Sequence, residues 1–191
     1  HPEPLTTVQV LDIFRQKTAP AFEVALRLGA LYAGTDPHEE VAEALSGYSE
    51  ALGIAYQIRD DLSDLGMKGE TNDIAGMRPS LLLAVAFERA QAEKKTLLES
   101  LWRRSVPAGA NTEQIEALYG ELKADERAKT LLETYKEEAI RSLRDVENAN
   151  LKGLLRRVIG KIFNDTEIKG WCKEFEAKNA AERAGAAAVA G

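Results

Sequence analysis

At 191 residues with a formal net charge of -6, the chain is long enough for one domain with its own core, and it carries no basic stripe of the kind that neutralises nucleic-acid phosphates. A single cysteine, Cys172, excludes an internal disulfide and a cysteine-rich metal site, and with only His1 and His38 a histidine-based metal cluster is not expected. Abundant Ala, Leu, Glu, Lys and Arg with few aromatics favour helices over sheet, and the lack of a bilayer-length apolar run or a signal peptide points to a soluble, cytoplasmic protein.

His1 to Thr7 reads as a start in mid-protein, with two prolines, no initiating Met and then a helix-opening Thr. A purification scar, a processed terminus or a proteolytic fragment would each account for it. Leu5 to Tyr32 follows as a helix with Val10, Ile13, Phe14, Ala21, Val24, Ala25 and Leu28 at helical spacing, and Pro20 inside it predicts a kink or local break. Turn formers at Gly34 to Pro37 separate it from a second helix, His38 to Leu65, in which Ser46, Gly47 and Gly53 are small enough for another backbone or a ligand to come close. Gly66 to Gly76 is a glycine-rich loop. Pro79 to Arg104 reads as one further helix with Pro in its first turn, and Val106 to Asn111 as a second loop. Thr112 to Leu122, Glu126 to Glu147 and Leu151 to Phe163 are the next helices, the middle one turning Leu131, Leu132, Tyr135, Ala139, Leu143 and Val146 to a core. A last helix from Glu167 carries Trp171 and Phe175, a packing stripe by spacing, and Ala180 to Gly191 is an Ala- and Gly-rich tail.

The stretch with chemical content ends the second helix: LGIAYQIRDDLSDL, Leu52 to Leu65. At about 100° per residue, Gly53, Gln57, Asp60, Asp61 and Asp64 fall within one arc of roughly 100°, while Ala51, Ile54, Ala55, Ile58, Leu62 and Leu65 fall on the other side. Three aspartates so close repel one another and form helix poorly, so a gain other than helix stability has to favour them. Hard divalent cations such as Mg²⁺ bind through one or two carboxylates together with substrate phosphates, which suits this front. The plainer alternative is a solvated acidic face.

Gly53-x-x-Tyr56-Gln57-x-x-Asp60-Asp61-x-x-Asp64 resembles, position by position, the second aspartate-rich motif GxxFQxxDDxxD of the trans-isoprenyl diphosphate synthases (polyprenyl synthetases), with Tyr56 in place of Phe. Lys17-Thr18-Ala19 resembles the family's short lysine-threonine motif. The resemblance covers about Leu5 to Phe163 and implies the C-terminal half of an all-α isoprenoid-synthase-type bundle of mostly antiparallel helices over 1–164, followed by a terminal helix and tail over 165–191. It further implies Mg²⁺-assisted condensation of an allylic diphosphate with isopentenyl diphosphate through a carbocation. Asp60 and Asp61 would be the main Mg²⁺ ligands and Asp64 a ligand directly or through water. Lys17, Thr18, Tyr56, Gln57, Lys68 and Arg78 would bind substrate, with Lys17, Gln57, Asp60 and Asp61 the catalytic set. Arg78 stands where the family has a lysine, and its planar fork suits phosphate; Lys68 is one residue out of register for an earlier lysine, and Ser80 would supply a hydroxyl.

The family's first aspartate motif, with its arginine pair, is not found in these residues. The resemblance therefore implies a segment inactive by itself, working with the missing N-terminal half or a partner subunit, and a homodimer in the full-length form. The alternative is a non-catalytic helical partner or regulatory subunit of a prenyltransferase. A terpene cyclase of the same fold would carry an NSE/DTE-like second motif, which is absent.

Overall fold

A computed structural model of the chain describes residues 3–32, 39–65, 80–103 and 112–164. Among them every regular element is an α-helix: α1 (Thr7–Tyr32), α2 (Glu39–Ser63), α3 (Leu81–Arg89), α4 (Ala92–Trp102), α5 (Thr112–Glu121), α6 (Ala124–Ser142) and α7 (Ala149–Phe163). The all-α expectation holds. The chain forms two units, His1–Asp145 and Val146–Gly191.

In the first unit α2 is the middle member, packed along α1 on one side and α6 on the other, while α3 lies against α1, α6, α4, α2 and α5. The sequence of α3 explains its place. Leu81, Leu82, Leu83, Ala84, Val85 and Ala86 are buried without interruption, so the first six residues of this helix are apolar all round and have to be enclosed. Val10 and Phe14 of α1, Ile54 and Ile58 of α2, and Leu98, Leu101 and Trp102 of α4 are buried in the same core as α3.

Helix ends leave free amides and carbonyls, and exposed polar side chains take several of them up. Thr6 and Gln9 form a reciprocal capping box at the start of α1, with the Gln9 amide donating to Thr6 Oγ1 and the Thr6 amide to Gln9 Oε1. Glu88, at the far end of α3, accepts from the Thr7 amide at 2.8 Å and from the Thr7 hydroxyl at 2.6 Å. Its neighbour Arg89 donates to the carbonyls of Leu122 and Lys123, both at 2.9 Å, where α5 gives way to α6. Lys94 and Glu121 pair between α4 and the end of α5.

Two expectations are corrected. Pro20 does not break α1, which continues from Thr7 to Tyr32. Ile13, Val24 and Leu28, at helical spacing with the buried Val10 and Phe14, are exposed. The helix expected from Pro79 to Arg104 is two helices. Ala90 and Gln91 are extended, and Ala92 takes the left-handed conformation at φ 48°. The reason is compositional: α3 ends its buried run at Ala86, and the following Glu88, Arg89, Glu93, Lys94 and Lys95 are exposed, so the enclosed helix does not continue through them.

In the second unit, Asn148 caps α7 by accepting from the Leu151 amide at 3.0 Å, and Asn164 ends it in the left-handed region. Leu155 and Ile159 are its buried apolar residues. The Glu167 helix and the tail lie outside the described residues.

Candidate active site

The two short motifs picked out of the sequence, forty residues apart, meet where α1 crosses α2. Gly53 is the contact point: a Cβ built there would stand 2.7 Å from the Ala19 amide nitrogen and 2.9 Å from its Cα. Real side-chain carbons do not approach backbone so closely, so only glycine lets these two helices come together here. One turn on, Gln57 faces α1, and Lys17 Nζ donates to Gln57 Oε1 at 3.2 Å. Lys17 is exposed, and an ammonium carries three donors, so it can hold Gln57 and still present N–H groups to an anion. Thr18, half-buried, lies between Lys17 and the contact residue Ala19. Arg15 adds a longer ion pair from α1 to Glu50 of α2 at 4.0 Å.

Tyr56 is fixed from two sides. Its ring meets Phe22 of α1 edge-on at 6.0 Å, and the Arg59 guanidinium lies 4.3 Å over its centroid. Arg59 also pairs with Asp60 Oδ1 at 2.9 Å. Partial burial opposes the Arg59 charge, and the hydrogen bonds to Asp60 and Tyr56 outweigh it, raising the guanidinium above its ordinary value. Phe22 and Arg59 were not singled out from sequence. The available signal was positional: Arg59 lies three residues after Tyr56 and beside Asp60.

The three acids do not behave alike. Asp60 is half-exposed at the end of α2, and Asp64 follows in the turn that closes it, its amide bonded to the Asp60 carbonyl. Asp61 is only 6% exposed, and its Oδ2 accepts from the Leu81 amide at 2.6 Å, at the first residue of α3. Ser80 completes that helix start: it is buried, and its Oγ accepts from the Leu83 amide at 3.1 Å. Among the described residues no three His, Cys, Asp or Glu side chains form a group that could hold a metal ion. Asp60 and Asp64, both half-buried, carry hard oxygen donors of the kind that Mg²⁺ takes through one or two carboxylates with phosphate and water. Lys68 and Arg78 lie outside the described residues. No helix among them is long and apolar enough to cross a membrane.

Residues 2–122 match the family model of polyprenyl synthetase. This chain belongs to the polyprenyl synthetase family. A short chain isoprenyl diphosphate synthase of Methanocaldococcus jannaschii is 33% identical over 121 residues, which are 59% of this chain and 36% of that protein. A polyprenyl synthase from Roseobacter denitrificans superposes with a TM-score of 0.73 at 25% identity, over 83% of this chain and 52% of that one. A polyprenyl synthase from Caulobacter crescentus, solved with calcium and isoprenyl diphosphate, superposes with a TM-score of 0.67 at 26% identity, over 80% of this chain and 48% of that one. The chain thus spans about a third of the archaeal relative and about half of each solved synthase.

Proposed function

We propose that this chain is the diphosphate-gripping half of a prenyltransferase that joins an allylic diphosphate to isopentenyl diphosphate, in the cytoplasm, and that it acts together with a complementary half bearing the first aspartate motif. The observation that carries the reading is the Lys17–Gln57 hydrogen bond across the Gly53–Ala19 contact. It puts a cation and an amide side by side between α1 and α2, and on an ideal helix the half-exposed Asp60 lies about 60° round from Gln57, on the same arc. The divalent cation and isoprenyl diphosphate of the Caulobacter crescentus synthase support the same chemistry.

In this reading Lys17 donates to a diphosphate oxygen as a point charge, and Gln57, held by Lys17, turns its amide to a second oxygen. Thr18 offers a hydroxyl, and Lys68 and Arg78 add positive charge. Tyr56, clamped by Phe22, keeps Arg59 beside Asp60, so the Asp60 carboxylate is oriented before any ligand arrives. Mg²⁺, held by Asp60 and Asp64, would supply neutralisation of the leaving diphosphate's charge. The allylic C–O bond then breaks with its electron pair on the diphosphate. The isopentenyl double bond forms the new C–C bond, and a proton is lost.

The test is calorimetric titration of this chain with inorganic pyrophosphate, with and without Mg²⁺. Binding that requires Mg²⁺ is expected, weakened about tenfold or more by Lys17→Ala and by Gln57→Ala, the size of one lost charge-assisted hydrogen bond. Absence of Mg²⁺-dependent binding sinks the reading. A non-catalytic helical partner is the second reading, favoured by one observation: two of the three acids already have partners within the chain, Asp60 in Arg59 and Asp61 in the Leu81 amide. The same titration separates the two.

A further inference from the structure

We infer that Asp61, the second acid of the adjacent pair, is a positioning residue that pins the end of α2 to the start of α3, and that the acidic front consists of Asp60 and Asp64 alone. The clause about the front rests on the diphosphate reading above; the pinning clause does not.

The need comes from α3. Its first turn is Leu81, Leu82 and Leu83, all buried, so amides that water would satisfy at an exposed helix start have to find acceptors inside the protein. Ser80 Oγ serves the Leu83 amide, and the Ala84 amide closes the first helical turn on the Ser80 carbonyl. The Leu81 amide is served by Asp61 Oδ2 at 2.6 Å, from a residue twenty positions earlier. A carboxylate at a helix N-terminus is also favoured by the helix dipole, so this acid has a structural reason to be there that owes nothing to a metal.

The same bond limits what Asp61 can do elsewhere. Its side chain is short and enclosed, and swinging the carboxylate out to the exposed front would strand the Leu81 amide in the core. Asp60 is tied differently: it is half-exposed, and its partner is the part-buried Arg59 guanidinium at 2.9 Å, which orients the carboxylate and can give way to a diphosphate-bound cation. Adjacent aspartates in one motif therefore divide the work. Asp60 faces the ligand, and Asp61 fixes where the end of α2, and with it Asp60 and Asp64, stands relative to the buried helix.

Asparagine separates the two roles, because its carbonyl oxygen can still accept from the Leu81 amide while a metal ligand loses its charge. In the 191-residue chain, Asp61→Ala is expected to lower the melting temperature by about 5 to 10 °C and to speed hydrogen exchange of the Leu81 amide at least tenfold. Asp61→Asn is expected to recover at least half of that loss, and Asp60→Asn to melt within about 2 °C of the parent. In the Mg²⁺–pyrophosphate titration Asp61→Asn should bind within about threefold of the parent, while Asp60→Asn loses at least tenfold. Unchanged melting and unchanged Leu81 exchange in Asp61→Ala overturn the positioning role. An Asp61→Asn protein that loses affinity as fully as Asp60→Asn overturns the division of labour. A parent chain that binds no pyrophosphate refutes the diphosphate reading instead, and leaves the melting and exchange results to decide the pinning.

Discussion

Replacing Gly53 by alanine adds one methyl group at the point where α1 and α2 touch, and the structure fixes the sign of the result. The new carbon would lie 2.7 Å from the Ala19 nitrogen, 2.9 Å from its Cα and 3.2 Å from its Cβ. Two of these three atoms are backbone, so no rotamer change relieves the clash, and the helices would have to part by roughly 0.7 Å to restore an ordinary contact. Overpacking of this kind costs about 1 to 3 kcal/mol, toward the upper end where the obstacle is backbone, and alanine's better helix propensity returns up to about 1 kcal/mol. The net expectation is a loss of about 1 to 2 kcal/mol, or about 2 to 8 °C in melting temperature for a chain of this length. Gly29 and Gly120 are helical glycines whose added Cβ would meet nothing within 4 Å. They are the controls, and alanine at either should stabilise by about 0.5 to 1 kcal/mol. The measurement is thermal and urea unfolding of the three single variants followed by circular dichroism. Parting the helices also stretches the 3.2 Å Lys17–Gln57 bond past hydrogen-bonding distance, so the Gly53 variant should lose pyrophosphate affinity even at temperatures where it is fully folded. A Gly53→Ala protein as stable as Gly29→Ala would refute the close contact and the site geometry that hangs on it.

Glu88→Ala removes both acceptors of Thr7 at the start of α1 and should cost about 1 to 2 kcal/mol in urea unfolding, with Glu88→Gln, which keeps one carbonyl acceptor, falling between. Tyr48 is fully buried, and burial raises its phenol above the ordinary value of 10.0. A folded-state value above the unfolded one means that its contribution is fully present below pH 10 and is lost as pH rises toward the folded value, so stability should fall on the alkaline side and Tyr48→Phe should flatten that fall. A Phe variant with an unchanged alkaline slope between pH 9 and 11 would assign the loss to other groups.

The helices were legible where periodicity had a long run to act on. Residues such as Leu131, Ala139, Leu143 and Val146 are core-facing in α6 and just after it, as their spacing requires, and Leu155 and Ile159 are buried in α7. What periodicity could not show is what lies opposite a face. Val24 and Leu28 repeat at the spacing of core residues and are exposed, because spacing reports an apolar stripe and not its cover. The break at Ala90 was visible only as a change of composition, since LLLAVAFERAQAEKK contains neither Gly nor Pro to mark it.

In the site, the glycine was legible as permission for close approach but its partner was not, because contact between Gly53 and Ala19 is a property of the α1–α2 crossing. The acids show the same limit more sharply. On an ideal helix Asp61 lies about 100° round from Asp60 and only about 20° from Ile54, which is 4% exposed. Grouping it with the acidic front placed it at the last position of the arc, where the front already meets the apolar wall. A carboxylate on that border needs hydrogen-bond donors once it is enclosed, and the start of a helix whose first three residues are all buried leucines supplies one. The residue type that reads as metal chemistry in the sequence is therefore also the type that an enclosed helix N-terminus demands, and only the 2.6 Å bond to Leu81 tells them apart. Two adjacent aspartates carry two physical requirements, and the 100° turn between them is what allows one helix to meet both.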